Sequence, residues 1–121
     1  MKSWSSWISL TATGIRSIPI NIAGVYTIRV REIIPNYDSD IIYMGKSKDI
    51  SRRLKGLLDD LNNDREKWKG HSSSQKIKLY KKHGLEFSFI QVSKNSDGVE
   101  KALLLAFHCS NGRLPLCNRS F

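Results

Sequence analysis

Residues 41–62 place a short apolar strand directly before an amphipathic helix, with only a few residues between them. The run Ile41–Met44 is typical of a strand, and Gly45 follows it. The next apolar residues recur at the spacing of one helix face and are Ile50, Leu54, Leu57, Leu58 and Leu61. This pattern predicts a helix that runs to about Asn62. Arg53 adjoins the apolar stripe, so we expect its side chain to be half covered by neighbours.

Polar residues indicate where two helices begin and end. Ser47 is the predicted N-cap of the first helix, with Asp49 in its first turn. The segment 71–84 opens with serines, carries Lys81, Lys82 and His83 near its end, and closes with a glycine. That composition predicts a shorter, basic helix.

Two further segments alternate in the manner of strands, and a last segment is a strongly apolar helix. Residues 24–30 and 86–92 are rich in β-branched and aromatic types, and 32–40 has the composition of a loop. The apolar helix follows the capping residues after position 93 and ends at Gly112. We therefore predict a single α/β domain over residues 1–121, with a central three-stranded antiparallel sheet flanked by helices. The N-terminus lacks the features of a signal peptide and is expected to belong to the fold.

The positive charge is concentrated in two places. Lys and Arg number 20 against 11 Asp and Glu, a net charge of +9. Residues 67–85 contain no acid, and a second basic focus spans 46–55 with Asp49 as its only acid. A polyanion is the natural partner of such a surface, and nucleic acid is the commonest polyanion. The expected nucleic-acid-binding residues are Lys46, Lys48, Arg52, Lys69, Lys76, Lys78, Lys81 and Lys82. The alternative is a lysine-rich surface that contacts only water.

Other classes of protein receive little support. No apolar run is long enough to span a membrane. Cys109 and Cys117 lack the second pair of ligands that a zinc site needs, so two reduced thiols and a cytoplasmic location are expected. A monomer or a weak dimer is expected.

Two tripeptides and three single residues follow one another in an order that is seen in a known family. The segments are Gly24-Val25-Tyr26, Tyr43-Met44-Gly45 and Arg53 ten residues after Tyr43, then Glu100 early in the apolar helix and Asn118 after Pro115. In the order and spacing of these residues, the chain resembles the GIY-YIG endonuclease family over residues 24–118. Val and Met replace an isoleucine in the two motifs, the spacer between them is longer than usual, and the region around 68–80 is an insertion. No second DNA-binding domain is expected.

The resemblance implies a divalent-metal-dependent endonuclease that hydrolyses DNA phosphodiester bonds. It implies that Tyr26 is the general base, that Tyr43 assists in positioning water, and that Arg53 clamps a phosphate. Glu100 would be the metal ligand for one Mg²⁺ or Mn²⁺, since Mg²⁺ often takes only one or two protein carboxylates. Asn118 would orient a neighbour or touch a phosphate.

Each of these residues also has an ordinary interpretation. The tyrosines suit any strand, Arg53 suits any helix surface, Asn118 suits a turn, and Glu100 could complete a capping box with Asp97. His71 could contact a phosphate, donate a proton to the leaving oxygen, or be a surface histidine at a helix start. Two alternatives to the nuclease stay open: a non-catalytic basic nucleic-acid-binding module and a small RNA-associated protein.

Overall fold

The structure, a computed structural model, describes residues 3–63 and 72–119. The predicted site residues His71 and Lys69 lie outside these ranges. The elements in chain order are β1 (Ile8–Ser9), α1 (Ala12–Arg16), β2 (Gly24–Val30), β3 (Ile41–Ser47), α2 (Ile50–Leu61), α3 (Ser72–Lys78), a 3₁₀ turn (Lys81–His83), β4 (Leu85–Gln91) and α4 (Ser96–Asn111). The predicted α/β class is confirmed.

The described sheet has four antiparallel strands in the order β1-β4-β2-β3, so the prediction of three strands is wrong. The three predicted strands all form, and β1 adds a short edge by pairing Ile8 with Phe87 and Ser9 with Glu86. A two-residue strand is too short to show an alternating pattern, which is why the sequence did not reveal it. The short helix α1 follows it and is capped by the Thr11 hydroxyl. Residues 8–16 therefore belong to the fold.

The ladder between β2 and β3 fixes which residues share a face of the sheet. Tyr26 pairs with Gly45 and Ile28 pairs with Tyr43. Because side chains alternate along a strand, Tyr26 and Tyr43 project from the same face, and Lys46 projects from the other. Beyond this point Arg29 pairs with Ile41, and the register shift marks a β-bulge at Ile42.

Helix α2 has the predicted apolar stripe but begins two residues later than the predicted cap implies. Its buried residues include Ile50, Leu54, Leu57 and Leu61, with Leu58 half-buried. The N-cap is Asp49, whose carboxylate accepts a hydrogen bond from the Arg52 amide. The Ser47 hydroxyl instead accepts from the Asp49 amide at 3.0 Å and fixes the turn before the helix. The prediction of Ser47 as the N-cap is therefore wrong, because this serine lies two residues before the N-cap.

The basic helix is shorter than predicted and is bonded to the C-terminal end of α2. It ends at Lys78, and the chain passes through the 3₁₀ turn to Gly84, whose φ is 78°. The Lys78 ammonium group donates to the Asn63 carbonyl. Lys81 donates to the Leu61 carbonyl at 3.3 Å and to the Asn62 side chain at 2.9 Å. These cations satisfy carbonyl groups at a helix C-terminus, where positive charge is favourable.

Helix α4 is capped by Asn95, whose side chain accepts a hydrogen bond from the Gly98 amide. This places Glu100 in the second turn, so the structure does not support a capping box that involves Glu100. The helix ends at Gly112 with φ 73°, as the sequence predicts. Within the described ranges, no helix is long and apolar enough to cross a membrane.

Candidate active site

The two motif tyrosines pack over Gly45. Tyr26 is only 1% exposed, and its ring centroid lies 6.1 Å from that of Tyr43 at an interplanar angle of 43°. A Cβ atom added to Gly45 would lie 2.6 Å from the Tyr26 hydroxyl oxygen and 2.9 Å from Cε2 of Tyr43. Such distances are too short for any side chain. Glycine at position 45 is therefore required by the close approach of both rings to the β3 backbone.

Arg53 joins helix α2 to this pair of tyrosines. Its Nε donates a hydrogen bond to the Tyr26 hydroxyl oxygen at 3.3 Å. The side chain is half-buried, as its place beside the apolar stripe predicts. No carboxylate in the described part of the chain pairs with Arg53, so its two terminal nitrogens are available to an anion. A guanidinium fixed in this way can bind two phosphate oxygens at once.

The environment of Tyr26 keeps its phenol protonated. Burial raises the pKa of Tyr26 above its ordinary value, and the neighbouring Tyr43 raises it further. The charge and hydrogen bond of Arg53 lower the pKa without offsetting the burial. In the free protein at neutral pH, Tyr26 is therefore a hydrogen-bonding phenol and not a phenolate.

Glu100 lies beside a group of charged residues at the start of α4. Lys46 of β3 forms an ion pair with Asp97, and Asp97 is also paired with Lys101 at 3.4 Å. Glu100 is half-buried and forms neither a hydrogen bond nor an ion pair with any described residue. Burial raises the pKa of Glu100, while the charges of Lys46 and Lys101 lower it and Asp97 raises it. The ion pair of Asp97 with Lys46 thus leaves the Glu100 carboxylate without a direct partner.

The donor set fits a single hard cation better than a metal cluster. Residues 3–63 and 72–119 contain no group of three or more His, Cys, Asp or Glu side chains that could hold a metal ion. A half-buried carboxylate without a protein partner can still bind Mg²⁺, because this ion keeps most of its water ligands. Glu100 fits that requirement.

Asn118 binds the backbone of the second motif. Its side-chain oxygen accepts from the Met44 amide at 3.0 Å, and its side-chain nitrogen donates to the Met44 carbonyl at 2.9 Å. The adjacent Cys117 amide donates to the Ile42 carbonyl at 2.8 Å. Since β3 is an edge strand, Asn118 supplies the backbone partners that a further strand would have supplied. The C-terminal segment thereby holds the strand between Tyr43 and Gly45.

Strand β3 is the element to which all five predicted motif residues are connected, directly or through a neighbour. Tyr43 belongs to it, Tyr26 covers Gly45, and Asn118 binds Met44. Arg53 reaches the strand through Tyr26, and Glu100 is linked to it through the charge of Lys46. The structure therefore brings Tyr26, Tyr43 and Arg53 into one cluster, while Glu100 is tied to the same strand without direct contact. No sequence pattern indicates the pairing of Lys46 with Asp97, because 51 residues separate them.

The predicted nucleic-acid-binding residues fall into two groups. Lys48 and Arg52 are exposed and line a cleft of about 360 Å³ together with Ser47, Asp49, Arg53 and Gly56. Lys82 is also exposed. In contrast, Lys46, Lys78 and Lys81 have protein partners, and the charge of Lys76 acts on the buried thiol of Cys117. Three of these lysines, Lys46, Lys78 and Lys81, therefore already contact protein groups, and Lys46 and Lys81 remain exposed.

A larger cleft lies at the other end of β2 and contains none of the predicted site residues. Its volume is about 730 Å³, and it is lined by the β2–β3 loop and the ends of β2 and β4. Arg29 beside it is paired with Glu86 at 2.8 Å and stacks on Trp7 at 4.3 Å. The cleft is wide, and its lining residues Asp40 and Glu86 are both paired with Arg29. Size alone does not make it the functional site.

No protein-family model, curated protein or solved structure matches this chain. The fold and site on their own define a small α/β domain in which two tyrosines, an arginine and an asparagine meet at strand β3, while a glutamate lies near the charge of Lys46 on the same strand.

Proposed function

We propose that this chain is a divalent-metal-dependent endonuclease that hydrolyses DNA phosphodiester bonds, with a site of the GIY-YIG type. One observation carries the proposal: the Arg53 guanidinium is bonded to the Tyr26 hydroxyl at the point where Tyr26 crosses Gly45. Two motifs and one helix residue that are far apart in sequence thus meet at one place. An ordinary strand tyrosine or helix arginine does not need such a meeting point.

Hydrolysis of a phosphodiester needs an attacking water, relief of charge on the phosphate and assistance to the leaving oxygen. Arg53 is suited to charge relief, because its position is fixed by Tyr26 and its terminal nitrogens face no described carboxylate. Glu100 would hold one Mg²⁺ or Mn²⁺, which when bound polarises a phosphoryl oxygen and offsets the developing negative charge.

Tyr26 and Tyr43 are assigned to the attacking water. Tyr26 retains its proton in the free protein, so it orients a water molecule by hydrogen bonding before any proton moves. It acts as a general base only when additional positive charge beside it lowers its pKa. Tyr43 lies at ring-contact distance and limits the positions open to that water. Asn118 acts through Met44, by holding the strand that carries Tyr43 and Gly45.

A second candidate function is a non-catalytic nucleic-acid-binding module, and the burial of Tyr26 favours it. A phenol that is 1% exposed, with a raised pKa, is also what a purely structural tyrosine looks like. Both functions use the exposed cations Lys48 and Arg52. They differ in whether Glu100 binds a cation and whether phosphodiester bonds break.

The test is incubation of purified protein with supercoiled plasmid, linear duplex, branched DNA and duplex RNA, with Mg²⁺ or Mn²⁺ and with EDTA. The nuclease predicts nicked or linear DNA that is absent with EDTA and absent for Arg53→Ala. Arg16→Ala is a matched control, because Arg16 is an exposed helix arginine of α1 outside the site. Binding of DNA without cutting in any metal would favour the module, and preferential binding of RNA would favour the RNA-associated alternative.

A further inference from the structure

Gly56 in helix α2 has no structural reason to be glycine. It lies in the helix interior, where glycine is less favourable than alanine. Its φ is not positive, unlike that of Gly84 and Gly112. A Cβ added to Gly56 would meet no described atom within 4 Å, and the residue is exposed. Neither backbone conformation nor packing within the described fold requires this glycine, in contrast to Gly45.

The surroundings of Gly56 are those of an anion-binding surface. It lines the cleft of about 360 Å³ that also contains Lys48, Arg52 and Arg53. Gly56 follows Arg52 by one helical turn, so both lie on the same side of α2. The cleft has one acidic residue, Asp49, whose carboxylate is engaged by the Arg52 amide. No ion pair links these three cations to a carboxylate in the described ranges.

We propose that the α2 cleft, defined by Lys48, Arg52, Arg53 and Gly56, is the track along which the sugar-phosphate backbone of the DNA strand reaches the site. Gly56 leaves the helix surface flat, so that the backbone can approach α2 closely while Lys48 and Arg52 contact its phosphates. Arg53 then links this track to Tyr26. The inference rests on the proposed function for its choice of DNA, and it deepens that proposal by stating where the strand lies.

Charge complementarity selects this occupant over an apolar partner. The cleft presents three cations, and an extended polyanion satisfies several of them at once. A close approach of a backbone to a helix is a recognised use of glycine, because any side chain would hold the ligand away.

The experiment measures binding of a fluorescein-labelled DNA duplex in EDTA, so that cleavage plays no part. The variants are Gly56→Ala and Gly56→Gln, which leave the charge of the cleft unchanged. Ser110→Gln, at an exposed position of α4 outside the cleft, is the matched control. Thermal unfolding of each variant is measured in parallel.

We expect Gly56→Ala to raise Tm by about 2–5 °C, because alanine favours the helix and has open space. The same change should weaken DNA binding several-fold, and Gly56→Gln should weaken it by about tenfold, the loss expected for one or two phosphate contacts. Ser110→Gln should leave binding unchanged. A more stable protein that binds DNA less well is a combination that a merely structural glycine does not give.

Equal binding by the wild type and both Gly56 variants would overturn the proposed track, as would the absence of DNA binding by the wild type. Loss of binding by Gly56→Gln in a protein that never cuts DNA would support the track and would count against the nuclease function. The two proposals can therefore fail separately.

Discussion

Tyr26 and Gly45 are direct partners across the β2–β3 ladder, and the phenol ring of Tyr26 occupies the space that a side chain at position 45 would need. This contact explains why position 45 is a glycine, and the Tyr26 hydroxyl above it also accepts a hydrogen bond from Arg53 of α2.

Gly45→Ala is expected to destabilise the protein by about 1–3 kcal/mol, the usual cost of forcing extra volume into a packed position. The new methyl group would lie 2.6 Å from the Tyr26 hydroxyl and 2.7 Å from its Cζ, so the ring must move. Urea unfolding measures the loss, and Gly56→Ala, where space is open, is the control that should not be destabilised. Equal stability of Gly45→Ala and wild type would contradict the packing described here.

Asn118→Ala is expected to cost about 1–3 kcal/mol, because it removes both side-chain hydrogen bonds to Met44. Amide hydrogen exchange at Met44 should accelerate in this variant. Asn111→Ala is a suitable control, since Asn111 makes one such bond, to Phe107 within α4, and should cost less. Unchanged exchange at Met44 would show that Asn118 does not hold this strand.

Stability is expected to fall as the pH rises above about 9. Burial raises the pKa of Cys117 from 9.0 to about 12 and also raises that of Tyr26 above its ordinary value of 10.0. A group whose pKa is higher in the folded state than in the unfolded state contributes its full stabilisation below the unfolded-state pKa. This contribution is lost as the pH rises toward the folded-state pKa, because the unfolded state loses its proton first. The free energy of unfolding, measured with urea as a function of pH, should decline less steeply than in the wild type for Cys117→Ala from about pH 9. For Tyr26→Phe the decline should be less steep from about pH 10. Parallel declines in all three proteins would exclude these groups as the cause.

Asp97→Asn is expected to impair the use of metal by releasing Lys46, whose ammonium group would then be free to pair with Glu100. The Mg²⁺ concentration for half-maximal cleavage should rise several-fold, since a cation must compete with Lys46 for the carboxylate. Protection by Mn²⁺ against thermal unfolding should weaken in parallel. The double variant Asp97→Asn/Lys46→Gln should restore both, and a defect that persists in the double variant would exclude competition by Lys46.

Much of the fold could be predicted from the sequence, because its main elements carry strong local signals. The stripe from Ile50 to Leu61 and the alternation of residues 24–30 each reflect burial of one face, so both elements form where expected. Gly112 ends α4 for a reason that depends only on its own backbone. In contrast, β1 is stabilised by its pairing with β4, and a two-residue strand leaves no periodic trace.

The candidate site could be predicted as a set of residues but not as an arrangement. The order of Tyr26, Tyr43 and Arg53 pointed to a shared site, yet their meeting over Gly45 depends on the register of two strands. The pairing of Lys46 with Asp97 and of Lys81 with the end of α2 depends on tertiary contacts that sequence spacing does not encode. For the same reason the sequence does not reveal which basic residues near α3 contact protein groups, as Lys81 does.

The most direct test of the nuclease proposal compares Glu100→Gln with the wild type on supercoiled DNA in Mg²⁺ or Mn²⁺, with DNA binding measured separately in EDTA. The substitution keeps size and removes the charge that a cation needs, and Glu100 has no described hydrogen-bond partner to lose. We predict unchanged folding, unchanged or tighter binding, and a cleavage rate at least about a hundredfold lower, the scale of losing a major electrostatic contribution to the transition state. Cleavage by Glu100→Gln at the wild-type rate, or wild-type cleavage that persists in EDTA, would contradict the metal-dependent nuclease.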